Sequence, residues 1–115
     1  MEKIEYLTFN YDNNNNNNIV NDTHIQYFDF DNCLFAKKMI DKIFYQCTFK
    51  NCTFNTLCDF SGSTFYECIF ENCLFLSIDF ETVEFDNSKF INTNISQCYN
   101  FTYNTPNYSL MINSI

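Results

Sequence analysis

Phenylalanine returns every fifth residue through most of this chain, and no other feature limits the possible folds so sharply. The beat is unbroken through Phe60, Phe65, Phe70, Phe75, Phe80, Phe85 and Phe90. Ahead of it come Phe30, Phe35 and Ile40, then Phe44, Phe49 and Phe54. A strict internal period means stacked repeats rather than a mixed globular core. Five fits neither the 3.6 of a helix nor the 2 of a strand. On one helix, residues five apart sit about 140° from each other and spiral around the axis. On one long strand they alternate faces. The period is satisfied when the backbone turns a corner at each repeat. Every Phe then points to one axis, and four sides close a coil of roughly twenty residues, one solenoid repeat.

A second inward position supports this reading. Two residues before the Phe the chain places small or apolar residues: Cys33, Cys47, Cys52, Cys58, Ser63, Cys68, Cys73, Ile78, Val83, Ser88 and Thr93. Between them lie mostly polar residues, among them Asn32, Asn51, Glu67, Asn72, Asp86 and Asn92. Each repeat reads small–x–Phe–polar–polar.

This pattern resembles the pentapeptide-repeat family, whose motif is a small residue, then Asp or Asn, then Leu or Phe, then two variable residues. The clearest matches are Cys47-Thr48-Phe49-Lys50-Asn51, Cys52-Thr53-Phe54-Asn55-Thr56, Cys68-Ile69-Phe70-Glu71-Asn72 and Cys73-Leu74-Phe75-Leu76-Ser77. Cys stands where the family usually has Ala, and Thr, Ile or Leu where it has Asp or Asn. The resemblance covers about residues 28–101 and implies an all-β fold, a right-handed quadrilateral parallel β-helix of about 3.5–4 coils with terminal caps. The expected ladders are Phe30/Phe49/Phe70/Phe90, Phe35/Phe54/Phe75/Ile95, Ile40/Phe60/Phe80/Phe101 and Phe44/Phe65/Phe85. With coils spaced like neighbouring strands, the rod is about 17–20 Å tall. Each buried Phe contributes roughly 1.5–3 kcal/mol.

Two register shifts interrupt the period: Ile40 to Phe44 is one residue short, and Phe54 to Phe60 is one residue long, near the only Gly, Gly62. Taken literally, the first would put Lys38 and Lys42 inside. An unpaired buried ammonium is costly, so a bulge or outward loop is expected over 36–43. The chain divides into an N-terminal cap strand and Asn-rich loop (1–27), the coil (28–101) and a C-terminal cap or contact tail (102–115). In that tail, Tyr103, Tyr108, Leu110, Met111 and Ile112 form an aromatic and apolar end, read as a cap or as the seam of a homodimer.

Net charge is −8, with no Arg and six Lys among 115 residues. That argues against direct nucleic-acid binding, which needs clustered cations, and suits a basic partner or simple solubility. No apolar run follows Met1, and no stretch is long enough to span a membrane. The expected location is a reducing intracellular compartment, or a virion if the source is viral. Richness in Asn, Phe, Ile, Tyr and Lys points to an AT-rich genome. Seven Cys invite a metal or redox reading. Most occupy the inward small position, where Cys is a compact filler, and their spacings are not those of common zinc sites. Cys98, outside the clean repeats, is the expected exposed thiol. With one His and one Gly, the sequence offers no catalytic set and no phosphate loop. No enzyme activity and no cofactor is expected.

Mapped onto the sides, Asp59, Asp79, Glu81, Glu84 and Asp86 fall on two neighbouring faces, with Lys50 and Lys89 on another. The functional expectation is a non-catalytic protein-interaction or scaffold module, for instance a small cement-like component of a larger assembly or virion. The family resemblance implies an alternative, an acidic DNA mimic that binds a type II topoisomerase such as DNA gyrase.

Overall fold

The computed structural model describes residues 1–11, 19–101 and 110–115. Its strands are short because a corner follows nearly every one: β1 (Glu2–Glu5), β2 (Thr8–Phe9), β3 (His24–Gln26), β4 (Phe28–Asp31), β5 (Leu34–Phe35), β6 (Ile43–Tyr45), β7 (Thr48–Lys50), β8 (Thr53–Phe54), β9 (Thr64–Tyr66), β10 (Ile69–Glu71), β11 (Leu74–Phe75), β12 (Glu84–Asp86), β13 (Lys89–Ile91) and β14 (Leu110–Ile112). They stack into three parallel sheets that form a β-solenoid of about four turns. The first side is the six-stranded sheet β1-β4-β7-β10-β13-β14. The second is β2-β5-β8-β11, and the fourth is β3-β6-β9-β12. The third side is carried by isolated parallel bridges, Lys38 to Asp59 and Asp79 to Tyr99. Register is strict: Phe30 pairs with Phe49, Phe49 with Phe70, and Phe70 with Phe90.

The corners explain the five-residue beat. Two residues after most inward side chains, the backbone enters the left-handed region, as at Asn32 (φ 56°), Asn51 (54°), Asn72 (54°) and Asn92 (49°). Asn adopts this conformation more readily than most L-residues because its short polar side chain bonds locally. Corner amides still reach the next layer: Asn32 N–H donates to the Lys50 carbonyl at 2.9 Å and Asn51 N–H to that of Glu71 at 2.9 Å. No backbone donor is sacrificed to the turn at these positions.

The small inward slot does more than fill space. The Cys47 thiol donates to the Ile25 carbonyl at 3.4 Å, Cys52 to Phe30 at 3.4 Å and Cys73 to Phe49 at 3.1 Å. Hydroxyls do the same one layer on, Ser88 to Phe65 and Thr93 to Phe70, both at 3.1 Å. Each of these five slot residues therefore gives a partner to the carbonyl of an inward residue in the preceding layer.

Twelve Phe side chains are fully buried. Along the first, second and fourth sides their rings stack between layers, Phe49 on Phe70 at 4.9 Å and 5° and Phe54 on Phe75 at 4.4 Å and 10°. Between sides they meet edge to face, as Phe49 and Phe54 do at 5.6 Å and 62°. Both arrangements suit the ring quadrupole, each pair adding about 0.5–1.5 kcal/mol beyond burial.

Three expectations are corrected. Met39, not Ile40, is the inward residue of its layer: Met39 is fully buried and Ile40 is 42% exposed. The short step therefore falls between Phe35 and Met39, and it leaves Lys38 pointing outward beside Asp59. No outward loop rescues Lys42. It occupies the small slot at 9% exposure, and its Nζ reaches down one layer to donate to the Asp22 carbonyl at 2.8 Å. Its long stem fills the core while the ammonium finds an acceptor near the end of the rod. Phe101 does not continue the Phe80 ladder. The Asp79 to Tyr99 bridge sets Asn100 opposite Phe80, and Phe101 lies edge-on across Phe80, Phe85 and Phe90 as a lid. At the N-terminal end β1, β2 and β3 pair onto β4, β5 and β6 as one further layer. Ile4 pairs with Phe30, Phe9 with Phe35 and Ile25 with Phe44.

The extra residue between Phe54 and Phe60 is absorbed at the turn Asn55–Cys58, where Cys58 N–H donates to the Asn55 carbonyl at 2.9 Å. At the other end β14 adds to β13, with Met111 opposite Phe90, and the Ser114 hydroxyl caps the Phe90 carbonyl at 3.0 Å. Tyr103, Tyr108 and the Asn13–Asn18 tract lie outside the described residues.

Candidate interaction surfaces

The interior is occupied by ladders, so any recognition must use the outward positions. The five acidic residues singled out from the sequence divide by role. Asp59 and Asp79 sit on the third side and fold their carboxylates back onto the chain. Asp59 Oδ1 accepts from the Ser61 N–H at 2.9 Å and its hydroxyl at 2.6 Å. Asp79 Oδ1 accepts from the Asn100 side-chain amide at 3.0 Å and the Glu81 N–H at 3.0 Å. Those bonds, the Asn100 amide foremost, hold its carboxyl below the usual range. These two acids shape turns. Glu81 follows at the end of the third side and is exposed. Glu84 and Asp86 project from β12 on the fourth side, Glu84 exposed and Asp86 half-buried.

Sequence reasoning missed what lies beside them. On the fourth side the position after each inward Phe is Tyr45 and then Tyr66, paired across β6 and β9, with Asp86 next in the row. Tyr27, at the corner below, meets Tyr45 edge to face at 5.6 Å. Gln46 donates to the Tyr45 hydroxyl at 3.3 Å and to Glu67 at 3.4 Å. The Glu67 carboxylate in turn pushes the Tyr45 phenol up from its ordinary value. The fourth side is thus a flat aromatic row running into carboxylates, and its strands carry no Lys. The signal was present as Phe44-Tyr45 and Phe65-Tyr66, but it becomes a row only when the layers are stacked. Lys50 and Lys89 fall on the first side as expected, in β7 and β13. At its corner with the fourth side is an open groove of about 350 Å³, lined by Gln46, Thr48, Glu67, Ile69 and Lys89 among others.

The end contact is divided in the same way. Met111 is half-buried against the core, and Ile112 is 43% exposed on the first side. Leu110 lies in β14. All seven Cys are free thiols, and Cys98, expected to be exposed, is instead half-buried and donates to the Phe75 carbonyl at 3.4 Å as the slot cysteines do. Among the described residues no three His, Cys, Asp or Glu side chains are grouped to hold a metal ion. No helix among them is long and apolar enough to cross a membrane.

Residues 43–84 match the family model for pentapeptide repeats (9 copies). No curated protein matches the sequence. Among solved structures the chain is similar to that of QnrB1, a plasmid-mediated fluoroquinolone resistance protein, at 16% identity and a TM-score of 0.40. That similarity covers 96% of this chain and 53% of the other, so this chain spans about half its length.

Proposed function

We propose, from the premise that this chain is built of pentapeptide repeats, that it is a non-catalytic protein-interaction module. The observation that carries this reading is the fourth side, where Tyr45, Tyr66, Glu84 and Asp86 stand in register on a sheet backed by stacked Phe rings. A surface held this firmly loses little conformational freedom on binding. Tyr rings offer apolar area and a face for cations, and the neighbouring carboxylates favour a basic partner. In a larger assembly such a rod acts as a small rigid spacer or cement piece between bigger subunits.

The test is capture of partners by tagged protein from its native source, with Tyr66→Ser and Glu84→Lys as the comparison baits. Both positions are outward, so the fold is retained. Retention of the wild-type partners falls by about tenfold or more, the size expected for losing an interface anchor. Equal capture by the wild type and both variants rejects the fourth side as the contact.

A second reading, an acidic mimic of the DNA duplex that binds a topoisomerase, draws support from Glu81, Glu84 and Asp86 as consecutive outward acids on a chain of net charge −8. Inhibition of DNA gyrase supercoiling by the wild type, and its loss on neutralising those three, would favour it. The Tyr66→Ser bait separates the two readings, because an electrostatic mimic does not need the ring.

A further inference from the structure

The second side is the one face of the coil without a carboxylate. Its stretches, residues 6–11, 32–37, 51–58, 72–78 and 92–98, contain no Asp or Glu and a single Lys, Lys37, although the chain carries 14 acids and six Lys. Lys37 stands at the edge, level with Cys58, and donates to the Asn21 side-chain oxygen at 2.9 Å. Among the described residues the other three sides all hold carboxylates. The outward positions here are apolar or amide-bearing. Leu34, Leu74 and Leu76 are half-buried, and Leu57 stands 58% exposed at the edge. At the corner with the first side an open groove of about 380 Å³ is lined by Tyr6, Leu7, Leu34 and other residues, none of them charged.

We propose that this side is a self-association surface, on which two copies of the chain pack second side to second side. The charge distribution selects the occupant. Two molecules of net charge −8 repel wherever carboxylates face each other, and a charge left unpaired in an interface is costly. The side free of carboxylates, its one Lys already bonded at the edge, is where two copies meet without that repulsion. A basic partner gains nothing there, since no carboxylate awaits it. The contact is also self-complementary. In the corner column the Asn32 and Asn51 amides already donate to the Asp31 carboxylate, at 2.8 and 3.2 Å. Asn72 and Asn92 further along it offer amides, which both donate and accept, as a two-fold interface requires. With molecular extents of 37 × 27 × 24 Å, one side presents on the order of 600–900 Å², against about 800 Å² per partner in stable complexes. In a four-sided coil the second side is opposite the fourth, so the pair would display two aromatic and acidic faces outward.

Sedimentation velocity of the full chain over a range of micromolar concentrations tests this. A dimer is expected, and it tightens on going from low salt to about 1 M, where the screening length shrinks to about 3 Å. Leu74→Glu, which places like charges at the contact, weakens it by about tenfold or more. Ile91→Glu, the same change on the first side, leaves it unaltered, and circular dichroism confirms that both variants keep the fold. The proposal fails if the protein is monomeric throughout, if Leu74→Glu leaves the dimer intact, or if the dimer is lost with Ile112→Glu in the tail instead.

Discussion

At Asn72 the backbone takes φ 54°, a conformation that costs most L-residues about 1–2 kcal/mol. Seven of the thirteen non-glycine residues with positive φ are Asn, and Gly62 fills another corner at φ 74°. Asparagine richness in this chain is therefore more than a bias of composition. Away from the Asn13–Asn18 tract, much of it supplies the corners that close each layer. Replacing Asn72 by Val, whose β-branched side chain is poorly tolerated at positive φ, is expected to destabilise the protein by about 1–2 kcal/mol. Asn72→Gly should lie within about 0.5 kcal/mol of the wild type, because Gly accepts the conformation but loosens the unfolded chain. Urea unfolding of the two variants checks the pair, and equal losses would mean that backbone strain is not what Asn relieves here.

An element of this fold is one short strand with its inward Phe and slot residue. It is stable only when stacked, so the identity of the inward residue is what sets register. The third side is the instructive case. Ile40 has the apolar character that the period asks for, yet Met39 is buried and Ile40 exposed. A five-residue count could not see this, because a layer may shorten by one residue wherever its corner permits. Unbranched Met reaches the axis from the shortened step. Met39→Ala is expected to cost about 2–5 kcal/mol, the range for emptying a core site, whereas Ile40→Ala stays within about 0.5 kcal/mol, as for a surface change. Comparable losses at both positions in thermal unfolding would overturn the assigned register. The same logic hid the tyrosine row: nothing periodic marks an outward position, so Tyr45 and Tyr66 looked like two unrelated residues in the sequence.

Over the whole molecule the buried thiols make stability depend on alkaline pH. Burial pushes Cys58, Cys68 and Cys98 up, with the Cys47 thiol adding to the effect at Cys68. The neighbouring Cys52 thiol and burial raise Cys33. Cys52 is pulled down by Cys33 but raised by Cys73 and by burial, ending at about 12. Two groups act the other way: Cys47 is lowered by its bond with Cys68, and Lys42 by burial. For the five raised thiols the folded state keeps protons that the unfolded chain has released above about pH 8.5–9. Their stabilisation is complete below that pH and is lost as pH rises toward the folded values, each at up to about 1.4 kcal/mol per unit. Lys42 and Cys47, depressed in the fold, offset part of this. The urea midpoint under reducing conditions should therefore fall between pH 8 and pH 10, roughly the window where free thiols ionise. It should fall less in a Cys52→Ser, Cys68→Ser variant, where a hydroxyl caps the same carbonyl as Ser88 does. A flat profile for the wild type would show that the thiols ionise alike in both states. At this scale the division between sequence and structure is also clearest. The period alone settles that the chain coils, how many residues make a side, and which residues face the axis from Phe44 to Phe90. One strict period and one buried core admit few alternatives. Stacking of the layers settled the rest. It wound residues 1–11 and 19–26 into a first layer across the Asn tract, chose Met39 over Ile40, and let Lys42 lie inside. It also brought Tyr45 beside Tyr66 and gathered five stretches without a carboxylate on one side. The physical reason is that burial constrains every fifth residue locally. The outward neighbours of a residue are set by stacking across some twenty positions, and only the closed coil fixes that distance.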